Sequence, residues 1–292
     1  MTSTSAKTAQ ANPARAVRQH ALTSRFLGVD FVPIFPEKVP ITKQDSGASA
    51  SNARGGGGGG AGTGSTSGGE VELIPPPRTD WHTVDEKRAA AQKQLDAIRA
   101  RYEKDQPHAK FVTAHTNIVF GEGDPCARLM FIGEAPGLDE DRTGRPFVGR
   151  AGQLLARMIY AMGLSRHEVY IANVLKTRPP NNATPTSEEA AACAPYLYDQ
   201  IAAVRPEVIV TLGLPASRII LQTEEAMSRM RGTWASWSHP DTKKHPGLTI
   251  PVMPTFHPAF LLRQYTQENR NKVWSDLKQV MTKLGLQGRK KG

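Results

Sequence analysis

Between residues 129 and 284, short apolar runs alternate with longer amphipathic stretches. The runs at 129–133 (Leu-Met-Phe-Ile-Gly), 169–175, 207–212 and 249–255 are continuous rather than alternating. Runs of this length, closed by Gly, Asn or Pro, predict strands buried on both faces. The stretches between them have helical spacing. Leu154, Leu155, Met158, Ile159 and Met162 share one face of a helix predicted over 150–162, with Gly163 as its C-terminal cap. Thr186 to Glu189 forms a capping box that opens a helix running to about Val204. A short helix is expected at 215–221, an edge strand at 230–237, and a closing helix at 271–284 through Val273, Trp274, Leu277, Val280, Met281 and Leu284. Upstream, Ala91, Leu95, Ile98 and Tyr102 fall at spacings of four, three and four, which predicts a helix over 84–105 that packs on the rest. Strands alternating with helices predict an α/β domain with a mostly parallel sheet covered on both faces.

The first 79 residues follow a different pattern. They are rich in Ala, Ser, Thr, Gly and Pro and include an unbroken glycine run from Gly55 to Gly60. Such a segment buries too little apolar surface to offset its ordering entropy, so a low-complexity tail with a Gly/Ser-rich linker is expected over 1–79. The glycine run is no phosphate loop, because no Gly-Lys-Ser/Thr follows it. An apolar island, Phe26 to Phe35, stands inside the tail as a candidate partner-docking stretch. The expected organisation is therefore the tail, a helical segment at 80–110, one domain at 111–286 and a basic tail at 287–292.

The chain carries a net charge of +10 over 292 residues, unevenly placed. Residues 260–292 hold eight Lys/Arg against two Asp/Glu, a net of +6, which is a plausible footprint for a polyanion. Two cysteines, Cys126 and Cys193, make no disulfide framework. No apolar run approaches the roughly 20 residues of a membrane span, and no signal-like apolar core opens the chain. A soluble cytoplasmic protein is expected.

Three polar features fall at carboxyl ends of predicted strands: the segment from Glu134 to Phe147, Asn173, and His257. In a parallel sheet those ends share one edge, where open α/β sheets place their sites. The set suits a planar, uncharged heterocycle. Asn offers a donor and an acceptor side by side, matching the adjacent N–H and carbonyl on an edge of uracil. Phe147 offers a stacking face, and His257 can donate to an oxygen that gains negative charge. Glu134 or Glu140 can position water or stabilise a cation. No Ser–His–Asp order, zinc-protease motif or dinucleotide fingerprint competes for the cleft.

The segments Gly133-Glu134-Ala135-Pro136-Gly137, Glu140-Asp141, Gly144-Arg145-Pro146-Phe147-Val148-Gly149, Asn173-Val174-Leu175-Lys176 with Arg178-Pro179-Pro180, and His257 to Arg263 resemble the signature regions of uracil-DNA glycosylases. The pattern is most similar to the fourth family, whose members usually carry an iron–sulfur cluster. The resemblance runs from about Thr116 to Leu284. It implies a three-layer α/β/α sandwich around a four-stranded, mostly parallel sheet, and release of uracil from DNA with an abasic site left behind. It implies that Phe147 stacks on uracil, that Asn173 reads its edge, that Gly133 and Ala135 line the base pocket, and that His257 stabilises the leaving anion. Glu134 and Glu140 remain alternatives for the water. Leu261, Leu262 and Arg263 would press into the duplex, and the basic C-terminal region would hold phosphates.

One departure stands out. The family's four cluster cysteines correspond here to Gln106, Ala109, Thr177 and Cys193, so only Cys193 matches. One thiolate cannot hold a cubane that needs four. No cofactor is therefore expected, neither cluster nor zinc. The second region also lacks the basic, His-bearing insertion of a related group that is trapped covalently on DNA, so free turnover by a monomer on uracil-containing DNA is expected. The alternatives are a non-catalytic DNA-binding protein of the same fold and a glycosylase for another deaminated base.

Overall fold

The structure, a computed structural model, describes residues 81–289. The expected tail, its Phe26 to Phe35 patch, and Lys290 and Lys291 lie outside the described residues.

Helix α1 (Trp81–Asp105) begins three residues earlier than its apolar stripe predicts. The stripe itself is buried, with Ala91, Leu95, Ile98 and Tyr102 all in the core. Then come β1 (Glu122–Gly123), β2 (Leu129–Gly133), α2 (Leu138–Thr143), α3 (Arg150–Ala161), β3 (Tyr170–Asn173), α4 (Ser187–Val204), β4 (Val208–Leu212), α5 (Leu214–Leu221), α6 (Met227–Met230), β5 (Ala235–Ser238), β6 (Thr249–Thr255), α7 (Pro258–Arg263) and α8 (Gln267–Leu284). The capping box at the start of α4 forms as the pattern requires. Thr186 Oγ1 accepts the Glu189 N–H at 3.2 Å, and Glu189 accepts the Thr186 N–H at 2.8 Å. Helix α8 starts before the expected residue 271 because Thr266 caps it, its Oγ1 accepting the Asn269 N–H at 3.1 Å.

The sheet order is β1-β3-β2-β4-β6-β5. The inner strands β3, β2, β4 and β6 are parallel. The expectation of four strands is corrected to six. An antiparallel segment closes each edge, β1 against β3 and β5 against β6. Strand β1 is a two-residue pairing beside two positive-φ glycines, too short to leave a hydrophobic pattern.

Successive residues of the inner strands point to opposite faces. Met130, Ile132 and Ile209 join Leu95, Tyr102, Leu197 and Ile220 on the face covered by α1, α4 and α5. Leu129, Phe131 and Val210 join Leu155, Ile159, Val273 and Leu277 on the face covered by α3 and α8. The expected three layers are present. No described helix is long and apolar enough to cross a membrane.

Leu155 is fully buried, whereas Val112 is 75% exposed. Chemical denaturation should therefore show Leu155→Ala losing about 2–5 kcal/mol and Val112→Ala changing by under about 0.5 kcal/mol.

Candidate active site

Parallel register gathers the expected residues at one sheet edge. Gly133 pairs with Asn173 across β2 and β3, and Leu212 pairs with Thr255 across β4 and β6. His257 follows Thr255 by two residues. These ends open into a cleft of about 790 Å³ lined by Glu134, Ala135, Glu140, Phe147, Asn173 and His257 among others.

His257 is also the cap of α7: its Nδ1 accepts the Ala259 N–H at 3.0 Å. The proton of the neutral ring is thereby placed on Nε2. Burial, helped by the nearby Arg263 charge, holds the imidazole well below its ordinary value, at about 4. The ring lies 5.6 Å from that of Phe147, tilted by 34°.

Asn173 is buried, and its Oδ1 has no hydrogen-bond partner. Its backbone is held tightly. Lys176 Nζ donates to the Asn173 carbonyl at 2.7 Å and to Gln200 Oε1. Burial pushes the Lys176 amine down to about 7. The next amides bond the neighbouring strand end, Val174 N–H to Gly133 O and Leu175 N–H to Glu134 O, each at 3.0 Å. Gly133 has no room for a side chain, since a Cβ there would collide with Asn173 Oδ1 and the tip of Phe147.

The two candidate glutamates differ in their bonding. Both oxygens of Glu140 accept backbone amides: Oε1 takes Val148 N–H and Gly149 N–H at 2.8 Å each, and Oε2 takes Gly137 N–H at 3.1 Å. Glu134 has no such set. Burial raises its pKa, with Thr184 and the Arg263 charge acting in the opposite direction.

The expected DNA-contact residues separate. Leu261 is 1% exposed and packs in the core against the α3–α8 side. It is corrected from wedge to core residue, because the turn of α7 points it inward. Leu262 is half-buried and Arg263 exposed. Leu138, 58% exposed, adds an apolar side chain at the cleft. The basic residues of the C-terminal region, expected to hold phosphates, are spread over two ends of the sheet. Arg150 and Arg263 line the cleft, and the C-terminal end of α8 lies at the other end of the strands. Arg128, beside the start of β2, donates to the Leu284 carbonyl at 2.9 Å, which places Lys283 and Arg289 near the opposite sheet edge.

A family model described as Uracil DNA glycosylase superfamily matches residues 120–278. The chain is 44% identical over 174 residues to the type-4 uracil-DNA glycosylase of Thermotoga maritima, covering 59% of this chain and 86% of that protein. It is 40% identical over 195 residues to the type-4 uracil-DNA glycosylase of Saccharolobus solfataricus, covering 65% and 86%. Identity to a type-5 uracil-DNA glycosylase of Pyrobaculum aerophilum is 33% over 152 residues, covering 47% and 63%. The chain belongs to the uracil DNA glycosylase superfamily.

The iron–sulfur cluster that the type-4 resemblance implies does not fit these residues. Gln106 and Ala109 are exposed and Thr177 is buried, and none of them supplies a thiolate. Cys193 is buried, with burial pushing its thiol up and the Tyr102 hydroxyl beside it. Tyr102 also stacks on His108 at 5.5 Å and meets Tyr196 edge-on at 5.0 Å. An aromatic packing unit thus stands next to the one retained cysteine.

Among the described residues, Asp199, His239 and His245 form a group of possible metal ligands. His239 Nδ1 accepts the Asp241 N–H at 3.1 Å, so its proton sits on Nε2 and faces Asp199. Arg101 and Lys244 already pair with that carboxylate. The group is an ion cluster fastening the β5–β6 connection to α4.

Two residues that support the site escaped the sequence reading. Lys176 stood inside the second motif, three residues after Asn173, without a role. Arg166, which donates to the Phe147 carbonyl at 2.9 Å, is remote in sequence and had no signal.

The His257 imidazole should stay neutral from pH 8 to about 5 in an NMR titration and take up a proton only near 4. Its folded pKa lies below the ordinary 6.5. This contribution to stability is therefore complete above about pH 6.5 and declines as pH falls toward 4.

Proposed function

We propose that this chain hydrolyses the N-glycosidic bond of deoxyuridine in DNA, releasing uracil and leaving an abasic site. The observation that carries the reading is a pair of polar groups facing one aromatic slot: the buried, unpartnered Oδ1 of Asn173 and the protonated Nε2 of neutral His257. The Watson–Crick edge of uracil complements them. Asn173 Oδ1 accepts the N3–H and its amide nitrogen donates to O4, while His257 Nε2–H donates to O2. Phe147 supports the ring face. The base reaches this slot only when it leaves the helical stack.

As the C1′–N1 bond breaks, its electron pair passes to the base and negative charge gathers on O2. A fixed N–H donor in a largely buried cleft stabilises that charge at little reorganisation cost. The sugar becomes cationic at C1′. Water adds there, and its proton passes through the carboxylate that holds it to the departing uracil anion. The bonding of the two glutamates favours Glu134 for holding this water, since Glu140 is committed to three backbone amides that shape the Phe147 loop. Leu138, Leu262 and Arg263 at the rim meet the DNA around the extruded nucleotide. One chain supplies every group in this scheme.

The same reading includes catalysis without a cluster. The packing of Tyr102, His108 and Tyr196 ties the segment after α1 to α4, where the family's thiolates would otherwise join them.

The test is excision of uracil from an oligonucleotide holding one deoxyuridine. His257→Ala and Asn173→Ala should each slow single-turnover excision by about 10²–10³-fold. The wild-type rate should fall as pH drops through the raised pKa of Glu134, because the carboxylate form is needed. Glu134→Gln should be slow and lack that limb. Equal rates in all four proteins would sink the assignment.

The purified enzyme should hold far less than one cluster equivalent of iron by elemental analysis and keep its full rate after chelation. A stoichiometric iron content, with activity lost on its removal, would refute the cluster-free reading.

A further inference from the structure

Phe147, the stacking residue of the proposed reaction, has φ 51°, in the left-handed region. A bulky aromatic rarely adopts this conformation, which is strained and persists only where surrounding groups over-determine it. Those groups can be named. On the amide side, Glu140 Oε1 accepts the next two N–H groups, of Val148 and Gly149, at 2.8 Å each. On the carbonyl side, the Arg166 guanidinium grips two successive oxygens, donating to Phe147 O from Nη1 at 2.9 Å and to Pro146 O from Nη2. Gly152 lets α3 approach, since a Cβ there would collide with the Phe147 carbonyl.

Arg166 lies in the short 3-10 turn Arg166–Glu168 after α3, outside every motif that suggested the site. Its Nε donates to Glu122 Oε1 at 2.7 Å, and Arg145 closes on the same carboxylate at 2.6 Å. Burial would raise the Glu122 carboxyl, but the two guanidinium groups outweigh it and hold it down to about 2. Arg166 is only 16% exposed, so its fork sits in a partly dry place where both bonds are strong.

We propose that Arg166, oriented by Glu122, is a positioning residue for the uracil-stacking ring. It locks the Pro146–Phe147 carbonyls and so keeps Phe147 in the backbone conformation that aims the ring at His257 and Gly133. This rests on the uracil-excision reading, and its test has one arm independent of that reading.

The independent arm uses the protein alone. The Phe147 ring lies 5.6 Å from the His257 imidazole, so its ring current shifts the His257 Cε1–H proton resonance. Phe147→Ala defines the resonance without the ring. Arg166→Met and Glu122→Gln should both move the resonance toward that value, Arg166→Met further. No movement in either folded variant would overturn the proposal, whatever the enzyme acts on.

The second arm is a double-mutant cycle in single-turnover uracil excision. Arg166→Met should slow excision by about 10–100-fold in the wild-type background, in line with small misplacements of a binding group. In the Phe147→Ala background the same change should cost under about 3-fold. Arg166→Lys, which keeps charge but loses the fork, should fall between. A merely structural role would lower the melting temperature and slow both backgrounds alike, which would also overturn the proposal. If wild type itself excises no uracil, the functional reading fails and the resonance arm still decides this one.

Discussion

Gly133 pairs with Asn173, and Leu212 with Thr255, across parallel strands whose side chains are buried on both faces. A slip of one residue in any of these strands would exchange the two faces of the sheet and put core residues on the wrong side. The register is therefore held by all of the packing above and below it. Because parallel strands end at one edge, the same register delivers Glu134, Asn173 and His257 to one cleft. The strand-end residues of the site inherit their placement from the hydrophobic core.

Backbone bonds beyond the strand ends extend that order into the loops. Val174 and Leu175 continue the pairing with Gly133 and Glu134 after β3 has ended. Lys176 then folds back beneath Asn173, with Gln200 of α4 as its second acceptor. A fully buried amine is costly as a cation, and its depressed pKa reflects that. Its Nζ satisfies two buried oxygens, the Asn173 carbonyl and Gln200 Oε1. Asn173 is thus tied to the α4 layer, the same layer that carries the one retained cysteine.

Opposite Asn173, the Phe147 loop is built by different means. No strand supports it. Carboxylate and guanidinium groups bracket a strained residue, Glu140 on its amides and Arg166 on its carbonyls. One wall of the slot is held by the sheet and the other by charge-assisted bonds, and the two meet where Phe147 and Asn173 close over Gly133.

The sequence by itself determined the buried strands, the amphipathic helices, their alternation and hence the parallel sheet, because those follow from local periodicity. The Ala91–Leu95–Ile98–Tyr102 stripe and the Thr186–Glu189 box are read in a few adjacent residues. It also placed Asn173, Phe147 and His257 in one cleft, since strand ends in a parallel sheet share an edge. Tertiary structure decided what depends on distant partners. The edge strand β1 is specified by β3 rather than by its own two residues. Leu261 looks like its neighbour Leu262 until the turn of α7 buries it. Glu134 and Glu140 are equivalent as letters, and only the amides of Gly137, Val148 and Gly149 distinguish them. The direction of α8 sets Lys283 apart from Arg263, which lines the cleft, and no count of lysines and arginines could show that.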